Sequence, residues 1–262
     1  MGTGLIRRLS QALVSALWVL PFLLLLVWSA GRQWPFPALL PREWTFDYWA
    51  AALDPGGALN RSLWASLLLS LSVALTATAL GYLTSRQIAR NRWKQRWLLL
   101  AYFPYAMAPV ILAACLQYFF LVIELSGKWS GVWLAQLCMA YPFAVIFFSG
   151  FWNRRLQSME DLVTTLGGTY WQAFRMVLLP MSRGALLVCF FQTFLISWFE
   201  YGLTSLIGVG KVQTLTVRVF QYVQEANIFQ AALAGCLLFL PPLILWWLNK
   251  KYLLRTNNPT TQ

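Results

Sequence analysis

The sequence predicts an all-α fold, a polytopic membrane bundle of six transmembrane helices with both termini in the cytoplasm. Three observations carry that prediction. Of 262 residues, 59% are hydrophobic and 11% charged, against roughly 25% charged in an ordinary soluble domain. The apolar residues gather in six long blocks, and about 20 consecutive apolar residues are what a helix needs to cross the hydrocarbon. Lys and Arg are distributed unequally between the connectors on the two sides.

The first block, residues 13–30, follows Arg7 and Arg8. It is too long for a signal-peptide core and places Trp28 where a small residue would precede cleavage, so it reads as a retained span bent at Pro21. Residues 31–61 form an outer hydrophilic stretch rich in Trp and Pro. The second span, 62–82, is rich in Ser, Thr, Ala and Gly, whose small side chains let helices approach closely inside a bundle. Residues 86–96 read as a short connector holding Arg86, Arg90, Arg92, Lys94 and Arg96. The third span, 97–120, is interrupted by Pro104 and Pro109. The fourth is 131–151, the fifth 184–207, and the sixth 228–248, with Pro241 and Pro242 inside it. Residues 152–183 and 208–227 are polar loops, and the tail after Lys250 and Lys251 is expected to be disordered. The expected division is 1–61, a permease-like core 62–249 containing the loop 152–183, and a tail 250–262.

With the N-terminus inside, 14 Lys and Arg lie on inner segments: Arg7, Arg8, the five of the first connector, Arg154, Arg155, Arg175, Arg183, Lys250, Lys251 and Arg255. Six lie outside: Arg32, Arg42, Arg61, Lys128, Lys211 and Arg218. That ratio sets the orientation. Trp28, Trp34, Trp129 and Trp198 then fall on the outer side, and Trp93, Trp97, Trp152 and Trp246 on the inner side, where interfacial belts form.

Several function classes drop out. The net charge of +12 is scattered over connectors, unlike the single stripe of a nucleic-acid binder, so no nucleic acid is expected. There is no histidine, which removes His catalysis and His metal ligation. Cys115, Cys138, Cys189 and Cys236 sit in different apolar blocks, with no metal or redox spacing. Gly210-Lys211 is not a nucleotide loop, because Ser205 stands where its first Gly is required and Val212 where Ser or Thr is required. No catalytic residue, metal or cofactor is expected, and any ATP hydrolysis belongs to another subunit.

The loop between the fourth and fifth spans is the most informative stretch. Ser158 with Asp161 three residues on, beside Glu160, predicts a capping box opening a short helix over 159–166. Leu162, Val163 and Leu166 are expected on one side, and Gly167-Gly168 supplies the left-handed stop. Thr169 and Gln172 predict a second capping box, and the next helix presents Trp171, Phe174 and Leu178 until Pro180 breaks it. Two short helices joined by a glycine turn, each with an apolar stripe outside the membrane, suit either a lipid surface or a docking partner.

This stretch resembles the EAA loop of permease subunits of type I ATP-binding-cassette importers: an acid, two small residues, three variable, Gly, nine variable, an aliphatic, one variable, then Leu-Pro. Here Asp161-Leu162-Val163, Gly167, Val177 and Leu179-Pro180 keep that spacing, with Leu162 and Val163 in place of two alanines. Residues 41–48 and 59–63 are similar to outer stretches of the family, and Ser197-Trp198-Phe199-Glu200-Tyr201-Gly202 to a Ser-x-x-Glu-x-Gly stretch of its spermidine, iron, thiamine and sulfate branch. The resemblance implies the type I importer permease fold in a bacterial inner membrane. It assigns coupling to an ATPase to Glu160, Asp161, Leu162, Leu166, Gly167, Gly168, Trp171, Phe174 and Pro180. It implies as partners a cytoplasmic ATPase dimer, a second permease subunit, a periplasmic or extracellular solute-binding protein and the lipid bilayer.

Glu200 is the only acid well inside an apolar block. It reads either as an interfacial carboxylate reaching water or, with Tyr201, as part of the translocation path or its outer gate. Aromatics beside an acid suit a small polar or cationic solute such as a polyamine, with Fe3+, thiamine or an oxyanion as the alternatives. A membrane scaffold or a secondary transporter is the competing class.

Overall fold

The computed structural model describes residues 2–33 and 43–256. Pro41, Arg42, Trp34 and the tail 257–262 lie outside the described residues. The chain divides into two compact units, residues 1–65 with 214–244 and residues 66–213 with 245–262.

The first unit holds α1 (Gly2–Ser29), strands β1 (Gly31–Gln33) and β2 (Glu43–Trp44), α2 (Asp47–Leu53), the start of α3 (Ala58–Arg90), α11 (Leu215–Gln224) and most of α12 (Ile228–Thr256). The antiparallel β1–β2 ribbon amends the all-α expectation. It forms where the Thr45 N–H donates to the Ala30 carbonyl at 2.8 Å, folding the outer stretch back on the end of α1. The Thr45 hydroxyl accepts the Asp47 N–H at 3.2 Å at the start of α2. Asn60 then closes the α2–α3 turn, its side-chain amide donating to the carbonyls of Leu53 at 3.1 Å and Asp54 at 3.2 Å. The Arg218 guanidinium donates to the Ser62 hydroxyl at 3.3 Å, holding α11 on the start of α3. The polar loop expected over 208–227 is thus largely helical, because Thr214 caps α11 by accepting the Val217 N–H.

The second unit holds the rest of α3, α4 (Lys94–Tyr102), a 3-10 turn (Phe103–Ala106), α5 (Pro109–Val122), α6 (Trp129–Phe151), α7 (Arg154–Thr165), α8 (Tyr170–Ala173), α9 (Leu179–Trp198) and α10 (Gly202–Gly208). Its core packs Leu69, Val73 and Ala77 of α3 against Val132, Ala135 and Ala140 of α6 and Leu203 and Ile207 of α10. Small residues let α3 and α6 meet: a Cβ placed on Gly81 would sit 2.4 Å from the Ala144 Cβ. Thr78 and Thr193 share a buried hydrogen bond at 3.2 Å, tying α3 to α9.

Among the described residues, four helices are long and apolar enough to cross a membrane: Ala58–Arg90, Trp129–Phe151, Tyr170–Trp198 and Ile228–Leu245. The third expected span is not straight. Lys94–Ala106 and Pro109–Val122 meet at 97°, a broken span or a re-entrant loop. Pro109 has no N–H to continue a helix, and the residue before it is pushed to extended geometry, as Ala108 is. α1 contributes a shorter apolar stretch, Val14–Ser29.

Three expected boundaries move. α3 runs on to Arg90, so Arg86 and Arg90 lie on a helix and only residues 91–93 connect it to α4. The fifth span ends at Trp198, which leaves Glu200 in the break before α10. α12 continues through Lys250 and Lys251 to Thr256, past the point where a disordered tail was expected. Trp152 and Trp198 are not belt residues: both are buried, Trp152 donating to the Ser85 hydroxyl at 2.8 Å and Trp198 stacking on Phe194 at 5.5 Å.

Candidate functional site

The segment between α6 and α9 is a helix–turn–helix with a rigid tip. α7 begins five residues earlier than Ser158 would place it. Asn153 is its cap, accepting the Leu156 N–H at 3.0 Å, and Ser158 lies inside the helix. Asn caps as well as Ser, and the earlier start lets Leu156 bury beside Phe148 and Leu178.

The stop forms as the glycines require. Gly167 has φ +82, the left-handed conformation a Cβ disfavours. The Gly168 N–H donates to the Val163 carbonyl at 2.9 Å and the Gly167 N–H to the Thr164 carbonyl at 3.1 Å, the paired bonds of a Schellman stop. A Cβ on Gly168 would meet the Val163 Cγ1 at 2.7 Å and its carbonyl at 2.8 Å, so neither glycine is replaceable without strain. The capping box of α8 is complete: the Gln172 N–H donates to the Thr169 hydroxyl at 3.3 Å, and the Thr169 N–H to the Gln172 side chain at 2.8 Å. Gly167→Ala should cost about 1–2 kcal/mol of local stability. That is roughly tenfold faster amide exchange at Leu166 and Gly168, read by hydrogen-exchange mass spectrometry.

Pro180 does not break the second helix. Residues Phe174–Leu178 open into a π turn, in which the Leu179 N–H reaches back five residues to the Phe174 carbonyl. The wider turn accommodates a proline that can neither donate to nor pack against the carbonyl four residues earlier. The helix therefore runs from Tyr170 to Trp198 without interruption. The apolar side chains expected as single stripes divide in two. Leu178 is buried and Phe174 packs on Tyr82, whereas Leu166 (79%), Trp171 (67%) and Leu162 (59%) are exposed, with Tyr170 and Met176. Trp171 stacks on Phe174 with centroids 5.7 Å apart, which fixes its ring at the tip.

The two acids separate as well. Asp161 is exposed and pairs with Arg90 at 3.0 Å. Glu160, 1% exposed, turns inward and forms ion pairs with Arg86 and with Arg90, the latter at 3.1 Å. These two arginines were counted for orientation and missed as anchors. Their i, i+4 spacing is the signal that could have found them once α3 is continued past Tyr82. Around them Tyr82 meets Phe148, Trp152 and Phe174 within 5.0–6.2 Å and shares a hydrogen bond with Ser182 at 3.0 Å.

Glu200 and Tyr201 stand at the break between α9 and α10. The Glu200 carboxylate accepts the N–H groups of Leu203 at 2.7 Å and Thr204 at 3.0 Å and the Thr204 hydroxyl at 3.0 Å. Thr204 in turn accepts from Gln136 at 2.8 Å, and Gln136 accepts from Ser197. Gly202 lets α10 touch α5, since a Cβ there would meet the Val110 Cγ2 at 2.7 Å and its backbone N at 3.3 Å. The Ser-x-x-Glu-x-Gly stretch is thus a docking device for a short helix, with Ser197, Glu200 and Gly202 each holding one contact.

Among the described residues no group of His, Cys, Asp and Glu could hold a metal ion. No curated protein matches the chain. Residues 77–249, which include α6, the helix–turn–helix, α9 and the break at Glu200, match the family described as binding-protein-dependent transport system inner membrane component, and the chain belongs to that family, the permease subunits of ATP-binding-cassette importers.

Proposed function

We propose that residues 154–180 dock a separate cytoplasmic ATPase, the role of the EAA motif, and that the permease core over 62–249 forms a solute path opened by alternating access. The observation that carries this is the exposed apolar surface of Leu162, Leu166, Tyr170 and Trp171. It is held rigid by a Schellman stop and a capping box and lies between two helices long enough to be spans. A rigid apolar surface with an acid, Asp161, on its edge suits a cleft on a protein more than a lipid headgroup layer.

In this reading α1 is a sixth span. Its 28 residues reach about 42 Å at 1.5 Å per residue, enough to cross when the polar start is included. Both termini then lie in the cytoplasm, as the Lys and Arg distribution requires, and the membrane is the bacterial inner membrane. The ATPase acts as a dimer, so a second permease subunit, identical or homologous, completes the path, and a solute-binding protein delivers from outside. The solute is a small polar or cationic compound of the spermidine, iron, thiamine and sulfate branch, a reading supported by residues 197–202 alone. Glu200 and Tyr201 enter it by positioning α10 at the edge of the path.

Co-expression with the ATPase encoded beside this chain tests the docking role. Leu166→Asp should reduce ATPase co-purification at least tenfold while the permease stays monodisperse in detergent, because a carboxylate would have to enter an apolar cleft. Unchanged co-purification would place the contact elsewhere.

A further inference from the structure

The ion cluster at the foot of α3 has a geometry that docking alone does not call for. Glu160 faces away from the exposed side of α7. It is almost wholly buried, and each of its oxygens meets a different arginine of the same helix: Oε1 meets Arg86, and Oε2 meets Arg90 at 3.1 Å. Arg90 also holds Asp161, so two adjacent residues of α7 are gripped by two residues one turn apart on α3. From Arg90 back to Ser66, α3 is one uninterrupted helix of about 36 Å. It is locked sideways to α6 at Gly81 and to α9 at Thr78.

The contacts between α7 and α3 are of two mechanical kinds. The Tyr82, Trp152 and Leu156 packing resists compression and gives almost no resistance to separation, because dispersion falls off within an ångström of contact. A charge pair shielded from water keeps its attraction as the partners part, since the Coulomb term falls only as the inverse of distance. A helix moved by an ATPase must be pulled as well as pushed. We propose that Arg86 and Arg90 with Glu160 form a tension-bearing latch that makes α3 follow α7 on the stroke away from the bundle. Glu160 is then a positioning residue of this chain and no part of the surface the ATPase touches. The proposal rests on the docking role above and deepens it by naming where the stroke enters the spans.

The test uses the permease–ATPase complex in lipid nanodiscs, with Cys115 and Cys138, both exposed, changed to Ser. Leu75→Cys, at a 65% exposed position on α3, serves as the reporter. Its maleimide-labelling rate is compared without nucleotide and with ATP and vanadate. With the latch intact, trapping should change the rate at least threefold. In Glu160→Gln the ratio should fall to one, with ATPase co-purification and hydrolysis retained. Arg86→Gln, in which Glu160 keeps Arg90, should lose about half of the change and serves if Glu160→Gln fails to fold. Arg86→Lys, which keeps the charge, should restore most of it. A full nucleotide-dependent change in Glu160→Gln and Arg86→Gln would overturn the latch, as would loss of ATPase from Glu160→Gln, which would make Glu160 a docking residue. If the intact complex binds ATPase and shows no change at position 75, α3 does not carry the stroke. If no ATPase binds any of the four proteins, it is the docking role itself that fails.

Discussion

Gly81→Leu should abolish the folded bundle or lower its stability by about 3 kcal/mol, the upper end of the usual cost of overpacking. The position is where α3 and α6 come closest. Even a single added Cβ would lie 2.4 Å from the Ala144 Cβ, 3.0 Å from the Ala144 carbonyl carbon and 3.1 Å from the Val145 nitrogen. Two of those three atoms are backbone, so no rotamer change relieves the contact, and the helices must separate. Separation would also open the Leu69, Val73 and Ala77 packing against α6 above the crossing and the Tyr82 cluster below it. Gly184→Leu is the control, since a Cβ there meets nothing within 4 Å. Thermal unfolding in detergent should show a large drop for the first variant and almost none for the second.

Gly202→Val should be nearly as damaging, at about 2–3 kcal/mol, with Gly202→Ala at about 1. The added methyls would strike Val110 at the first turn of α5, where the Cγ2 lies 2.7 Å and the Cα 3.4 Å from an ideal Cβ. Pushing α10 off α5 also strains the Glu200 cap and the Gln136 bridge, which reach Thr204 from opposite sides. Because the break after α9 would be displaced while α7 and α8 stay intact, uptake in cells should fall further than ATPase co-purification. Equal loss of both would mean that the break is coupled to the tip through the whole length of α9.

What the sequence made legible follows from the range of the interactions. The glycine stop at Gly167-Gly168 and the capping box at Thr169 are decided within four residues, and both stand as read. The start of α7 was misplaced because Ser158 and Asn153 are both competent caps, and only the burial of Leu156 against α6 and α9 selects the earlier one. Pro180 looked like a breaker because the π turn that absorbs it leaves no local signal. Glu160 looked like a surface acid because its partners are more than 70 residues away on α3. Glu200 looked like an intramembrane charge because the chain break that gives it two backbone N–H partners is set by Gly202 docking on α5. In each case a long-range contact overrode a local preference.

The measurement that bears most directly on the account is site-specific photo-crosslinking in the co-expressed complex. A benzophenone amino acid is placed at Leu166, at Trp171 and, as a control, at Phe46, exposed just before α2. The account predicts ATPase adducts from positions 166 and 171 and none from 46. An ATPase that co-purifies with the permease yet forms no adduct at either tip position would contradict it.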